Sequence, residues 1–403
     1  MEWKLKDLTV DGKGSYGIGA PAVPYQEDKL TYLRITDIND DGSLNFSDLK
    51  SVDAEDAEKY ILKENDIVFA RTGNSTGRSY FYEKQHGTFV YAGFLIKFSL
   101  DPNKVNPRIL KYYTHSKPYF DWVNSFDTGA TRGNINAKTY GDMEIELPSR
   151  KVQDKIVSIL SSLDRKIELN NKINADLEEM AQAIFKNRFV DFEPFKDGKF
   201  VDSELGMIPE GWKVGTLGEF CKCLLGGTPS RSKEEYWNGE VNWINSGEIN
   251  KFRILEASEK ITELGLAKSA TKLLPKKTTV LAITGATLGQ VSLLEIDTCA
   301  NQSVIGVLEN TEVPYEYIYP FIKDRIEMLI QHQTGGAQQH INKDNVESLI
   351  FLLPAINVLE DYISLVSPMY KRIESQCFEN LYLSTLRDTL LPRLMSGELE
   401  VPE

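Results

Sequence analysis

Two pairs of short polar loops carry the side chains best suited to chemistry in this chain. The first half holds Arg71-Thr72-Gly73-Asn74-Ser75-Thr76-Gly77-Arg78 and, later, the segment from Thr128 to Lys138, which includes Arg132, Asn134 and Lys138. The second half holds Thr284 to Gln290, with Thr284, Thr287 and Gln290, and then Thr334 to Lys343, with Gln338, Gln339, His340 and Lys343. Glycine lets a backbone come close to a phosphate, hydroxyl and amide N–H groups donate to it, and Arg, Asn and Gln form paired contacts with base edges. The candidate binding residues are Arg71, Thr72, Asn74, Ser75, Thr76, Arg78, Arg132, Asn134 and Lys138 in the first half, and the seven named above in the second. Loops of this composition also serve as ordinary turns. Where the halves differ, as in Arg132-Gly133-Asn134 against Gln338-Gln339-His340, they are expected to read different sequences.

Catalytic motifs are missing from the sequence. The only Asn-Pro, Asn106-Pro107, is followed by Arg108, so no adenine-methyltransferase tetrad is present, and no Gly-Lys-Ser/Thr closes a P-loop. No catalytic group or resident cofactor is therefore expected. Cys221 and Cys223 lie close together, but Cys299 and Cys377 are isolated, so no zinc set is completed and all four read as packing thiols, with metal binding the minor alternative. The net charge of −13 argues, by itself, against a nucleic-acid partner. Nine acids and three lysines between Asp40 and Asp66 concentrate much of it in one block, which is expected to be a solvated face. No apolar run reaches membrane-spanning length, and Met1-Glu2-Trp3-Lys4 has neither region of a signal peptide, so a cytoplasmic protein with no membrane contact is expected.

The loops sit inside an internal repeat with a period near 206 to 212 residues. Trp3-Lys4-Leu5 is matched to Trp212-Lys213-Val214, and Tyr32 to Ile38 to Trp243 to Ile249, both read as alternating strands. Asp66 to Gly73 is matched to Thr278 to Gly285, a buried strand entering a glycine-bounded loop. Thr128 to Asn136 is matched to Thr334 to Asn342, each continuing through a short polar helix to Leu147-Pro148 or Leu353-Pro354. The tryptophans Trp3, Trp212 and Trp243 read as core residues.

A long helix follows each copy. From Val152 to Phe189 a heptad seam runs through Ile156, Leu163, Asn170, Leu177 and Ile184, with Ile159, Leu160, Ile167, Ile173 and Met180 between. From Ile356 to Leu394 it returns through Tyr362, Met369, Gln376, Leu383 and Leu390, with Leu365, Val366, Ile373 and Leu386 between. Such seams predict helices that pair with each other. Antiparallel pairing would bring Asn170 to Gln376, where the two amides could set the register. The fold class is thus α+β: two similar, mainly β globular domains separated by two long helices forming an antiparallel coiled coil. The expected boundaries are domain 1 at 1–150, helix 151–192, a linker at 193–210, domain 2 at 211–354, and helix 355–397.

Asp202-Ser203-Glu204-Leu205-Gly206-Met207-Ile208-Pro209-Glu210-Gly211-Trp212 resembles the start of a target recognition domain in the specificity subunit of Type I restriction-modification systems. Leu390-Leu391-Pro392-Arg393-Leu394-Met395-Ser396-Gly397-Glu398-Leu399 resembles the end of that family's second helical region. The resemblance implies two target recognition domains, each reading half of a bipartite double-stranded DNA sequence, and helices that set the unread spacer. It also implies docking of two adenine-N6 methyltransferase subunits and, in the restricting form, two ATP-dependent motor-nuclease subunits. S-adenosylmethionine, ATP and Mg would then belong to those partners. The alternative is a non-catalytic duplicated scaffold that binds other proteins and not DNA.

Overall fold

The computed structural model describes residues 2–126, 133–331 and 340–401. The chain divides into two compact units, Met1–Lys166 with Leu383–Glu403, and Ile167–Tyr382. Each long helix contributes to both units, so the first unit is assembled from two segments of sequence and the second is one contiguous segment.

The first unit is built on three sheets. Glu2–Lys4 pairs antiparallel with Glu144–Glu146. A four-stranded antiparallel sheet runs Ser15–Tyr16, Leu95–Ser99, Asp66–Ala70, Ser79–Phe81. A second runs Ala22–Pro24, Lys50–Val52, Thr31–Leu33, Phe89–Tyr91, with the last two strands parallel. Every residue of Asp66–Ala70 is buried, because both faces are covered, and the strand accordingly reads as a nearly continuous apolar run. Phe69 packs on Phe98 and Tyr140 beneath it.

The second unit repeats this plan except at the edges of its second sheet, where Leu273–Leu274 adds beside Thr298–Ala300 and, among the described residues, no strand answers Ala22–Pro24. Lys213–Thr216 pairs with Ile350–Leu353, and the antiparallel sheet runs Lys222–Leu225, Val304–Leu308, Thr279–Ala282, Val291–Leu293. The second sheet runs Glu259–Ile261, Trp237–Ile244, Thr298–Ala300, Leu273–Leu274, again with one parallel pair. Even the unusual backbone is duplicated: Asn65 and Lys277 both have positive φ, 67° and 68°.

Three local expectations need correction. The Leu5 amide bonds Met143 O and the Leu217 amide bonds Leu349 O, so Leu5 matches Leu217, and the Trp3/Trp212 match is three residues out of register. Trp212 instead packs against Phe189, Phe192 and Phe195. The strands starting at Tyr32 and Trp243 stop at Leu33 and Ile244, giving way to the one-turn helices Ile35–Asp37 and Ser246–Asn250. The Asp37 and Glu248 carboxylates cap the amides of Arg34 and Asn245 and stop the strands there. Finally, the supposed linker at 193–210 contains a hairpin, Phe200–Ser203 with Gly206–Pro209, turned at Gly206 with φ 83°.

The long helices span Arg150–Phe189 and Ile356–Met395, 40 residues each, or about 60 Å at about 1.5 Å per residue. They run antiparallel in both units: Ile156 and Leu160 share a core with Leu391 and Leu394 in the first, and Phe185 and Phe189 meet Tyr362 while Asn170 meets Gln376 in the second. Of the seam positions, Ile156, Asn170, Tyr362 and Gln376 are fully buried; Leu163, Leu177, Ile184, Met369, Leu383 and Leu390 are half-buried. Ile159, Met180 and Leu365, expected to point inward, are exposed. The reason is that each helix also faces a domain core. Phe185 and Phe189 pack on Tyr317 as well as Tyr362, so a broad face is buried where a two-helix seam would bury a narrow stripe.

Candidate nucleic-acid interface

In each unit the central strand of the antiparallel sheet ends in a loop that begins at a left-handed glycine: Gly73 with φ 74° and Gly285 with φ 71°. It closes at a second, Gly77 with φ 89° and Gly289 with φ 84°. Glycine is required at the closing position on two counts. The backbone is left-handed, and a Cβ would lie 2.6 Å from Val123 Cγ1 in the first unit and 2.3 Å from Ile330 Cδ1 in the second.

Four backbone hydrogen bonds fix this loop, and all four recur. Ala70 N donates to Arg78 O (2.8 Å) and Gly77 N to Ala70 O (3.1 Å); Ala282 N donates to Gln290 O and Gly289 N to Ala282 O, both 2.9 Å. Arg71 N donates to Phe94 O (3.1 Å), as Ile283 N does to Ser303 O (2.9 Å). Ile135 N donates to Arg71 O (2.9 Å), as Ile341 N does to Ile283 O (3.0 Å), which brings the second candidate loop beside the first. The helices Ala137–Gly141 and Lys343–Glu347 then start under the side-chain caps Asn136 and Asn342. The described parts of both loop pairs inferred from sequence, 133–138 and 340–343 in the later loops, are thus gathered at one sheet end per unit, on a common backbone frame.

The side chains on that frame fall into distinct groups. Asn74, Asn134, Lys138 and His340 are exposed; Thr72 bridges to Asn134 through backbone. Thr76 Oγ1 donates to Gly73 O and Gly133 O, both at 2.8 Å, and so ties the loops together, while Ser75 is buried. Arg78 is committed elsewhere: its Nε donates to Asp40 at 2.6 Å and its Nη1 to Ile38 O at 3.0 Å, so one end of the acidic block is held against the sheet. Lys343 is paired with Glu347 at 2.9 Å, a contact that holds its ammonium above the usual lysine pKa. Thr284 and Thr287 are half-buried, and Gln290 keeps a buried Oε1 with no hydrogen-bond partner among the described residues. Arg132, Gln338 and Gln339 lie outside the described residues.

Arg71 differs from the other basic groups. Its guanidinium lies 5.1 Å from the centroid of the Tyr16 ring, and its Nε is buried with no hydrogen-bond partner among the described residues. Tyr16 was missed by sequence reasoning. The signal was there: Tyr16-Gly17 matches Leu225-Gly226, and both glycines abut backbone, with a Cβ at Gly17 falling 2.2 Å from Tyr91 O and one at Gly226 falling 2.1 Å from Asn301 O. Among the tryptophans, Trp243 is buried with its Nε1 donating to Gly227 O, a core role.

All four cysteines are buried and unpaired, and burial pushes the Cys221 and Cys223 thiols up to about 12. No helix among the described residues is long and apolar enough to cross a membrane.

The family described as "Type I restriction modification DNA specificity domain" matches the chain twice, over residues 16–179 and 209–376. Among relatives, the Type I restriction enzyme MjaIX specificity subunit of Methanocaldococcus jannaschii is 28% identical over 299 residues, covering 73% of this chain and 69% of that protein. The HindI specificity subunit of Haemophilus influenzae is 24% identical over 405 residues, covering 85% of this chain and 88% of that one. A crystal structure of the S subunit of a Type I restriction-modification system from M. genitalium shares the fold, with a TM-score of 0.57 at 15% identity over 100% of this chain and 96% of that one.

Proposed function

Since this chain belongs to the Type I restriction-modification DNA specificity family, we propose that it is the subunit that tells such a complex where to act, one domain reading each half of a bipartite duplex sequence. The observation that carries the reading is the duplicated loop frame: one backbone, held by matched hydrogen bonds, has Arg71, Arg78 and Asn134 at the positions that hold Ile283, Gln290 and His340 in the other copy. Two readers of common architecture and different side chains fit a target with two unlike halves. Helices of about 60 Å exceed one turn of B-DNA, about 34 Å, and suit an unread spacer between the halves.

The chemistry falls to partners. Two methyltransferase subunits would supply adenine-N6 methylation with S-adenosylmethionine, and motor-nuclease subunits would supply ATP- and Mg-dependent cleavage. An acidic chain gains little from phosphate neutralisation, so tight duplex binding is expected only in the assembled complex, and it should weaken steeply with salt. Methylation sequencing of DNA from a host expressing the chain with its cognate methyltransferase subunit tests the reading. The expected result is a bipartite motif carrying N6-methyladenine in each half. No new methylation from a complex shown to assemble would overturn it and favour a protein-binding scaffold.

A further inference from the structure

We infer that Arg71, held in place by Tyr16, reads a guanine in the half-site served by the first unit. The inference rests on the proposed function and adds to it a named base-reading group. In a chain with 59 acids against 46 lysines and arginines, an unpaired guanidinium needs explaining. Among the described residues the Arg71 side chain makes no hydrogen bond or ion pair; its one partner is the face of Tyr16, 5.1 Å from guanidinium to ring centroid. Arg78, seven residues on, is consumed by Asp40 and Ile38 O. Arg71 is therefore the arginine of this loop with its donors unspent.

Tyr16 holds more than the arginine. Its hydroxyl accepts from Ala137 N at 3.1 Å, so one ring braces both the first loop, through Arg71, and the start of the helix that follows the second. Stacking on an aromatic face fixes the plane of the guanidinium and leaves its edge donors free. A planar fork of donors matches the two major-groove acceptors of guanine, O6 and N7, the commonest specific arginine contact. In the second unit the same two frame positions are Leu225 and the buried Ile283. That copy has no donor there, so the effect must be confined to one half-site.

The test uses the full chain with its methyltransferase subunit and reads the methylated motif by sequencing, for the wild type and for Arg71→Met, Arg71→Lys and Tyr16→Leu. Arg71→Lys keeps the charge and most of the stem, which guards against simple misfolding, but it lacks the fork. Both Arg71 variants are expected to make one guanine position degenerate, its preference falling about 5- to 150-fold, with the other half and the spacer length unchanged. Tyr16→Leu is expected to relax the same position by less. An unchanged motif in both Arg71 variants overturns the inference. So does a uniform fall in methylation with every base preference kept, which would assign Arg71 to a phosphate. A wild-type complex that yields no bipartite motif overturns the functional reading itself, and so is told apart from failure of this one.

Discussion

Replacing Asn170 by Leu should destabilise the second unit by about 1–3 kcal/mol, and replacing Gln376 as well should recover most of that loss. Asn170 is 0% exposed and Gln376 is 1% exposed. Gln376 Nε2 donates to Asn170 Oδ1 at 3.0 Å, and Asn170 Nδ2 donates to Glu379 Oε2 and Asn380 Oδ1, both at 2.8 Å. Gln376 Oε1 has no hydrogen-bond partner among the described residues. Asn170→Leu therefore leaves a buried amide with neither end satisfied, which costs about 1–3 kcal/mol. With both amides replaced by Leu, an apolar pair fills the layer and that penalty disappears. What the double variant loses is the preference for one register. A slip of one heptad moves one helix along the other by about 10 Å at about 1.5 Å per residue, close to three base pairs at about 3.4 Å each. Urea unfolding of the wild type, both single variants and the double variant yields the coupling energy; methylation sequencing yields the spacer. A coupling energy near zero, with a single spacer length kept in the double variant, would refute the idea that these amides set the register.

Three further outcomes follow from the geometry. Arg253 is buried with Nη2 2.6 Å from Glu178 and Nη1 3.1 Å from Tyr319 Oη, so Arg253→Met, which removes one of the two cations on Glu178 and leaves Lys323 at 2.8 Å, should cost about 1.5–3 kcal/mol; an unchanged unfolding midpoint would count against the network. Burial raises the Asp164 carboxyl, but Lys111 and Arg387 together outweigh it and hold it below the usual range. A depressed carboxylate stabilises the fold above its unfolded pKa of about 3.9, and that stabilisation disappears as pH falls through the lower folded value. Melting temperatures between pH 6 and 3 should accordingly fall more steeply at the acid end for the wild type than for Asp164→Asn, and parallel curves would exclude the effect. Gly77→Ala should cost more than Gly73→Ala, because both pay left-handed strain of about 1–2 kcal/mol but only the first drives a Cβ into Val123; equal losses in chemical denaturation would contradict this.

The features legible in the sequence were those set by local pattern. Heptad spacing marked both long helices, the four-residue apolar run 67–70 marked the strand Asp66–Ala70, and the common positions of Gly73, Gly77, Gly285 and Gly289 marked two loops of one design, since a left-handed backbone turn demands glycine wherever it recurs. Asn170 and Gln376 could be matched for a related reason: an antiparallel pair of equal helices brings their midpoints together. Tertiary structure decided everything that depends on residues distant in the chain. Ile159, Met180 and Leu365 became exposed because the helices turn a broad face to domain cores that no heptad count contains. Arg71 and Arg78 look equivalent in sequence, seven residues apart in one polar loop. Asp40 neutralises one, while among the described residues the other meets only the ring of Tyr16, 55 residues before it. A side chain's chemistry is set by what packs beside it, and here that neighbour arrives from another strand of the sheet.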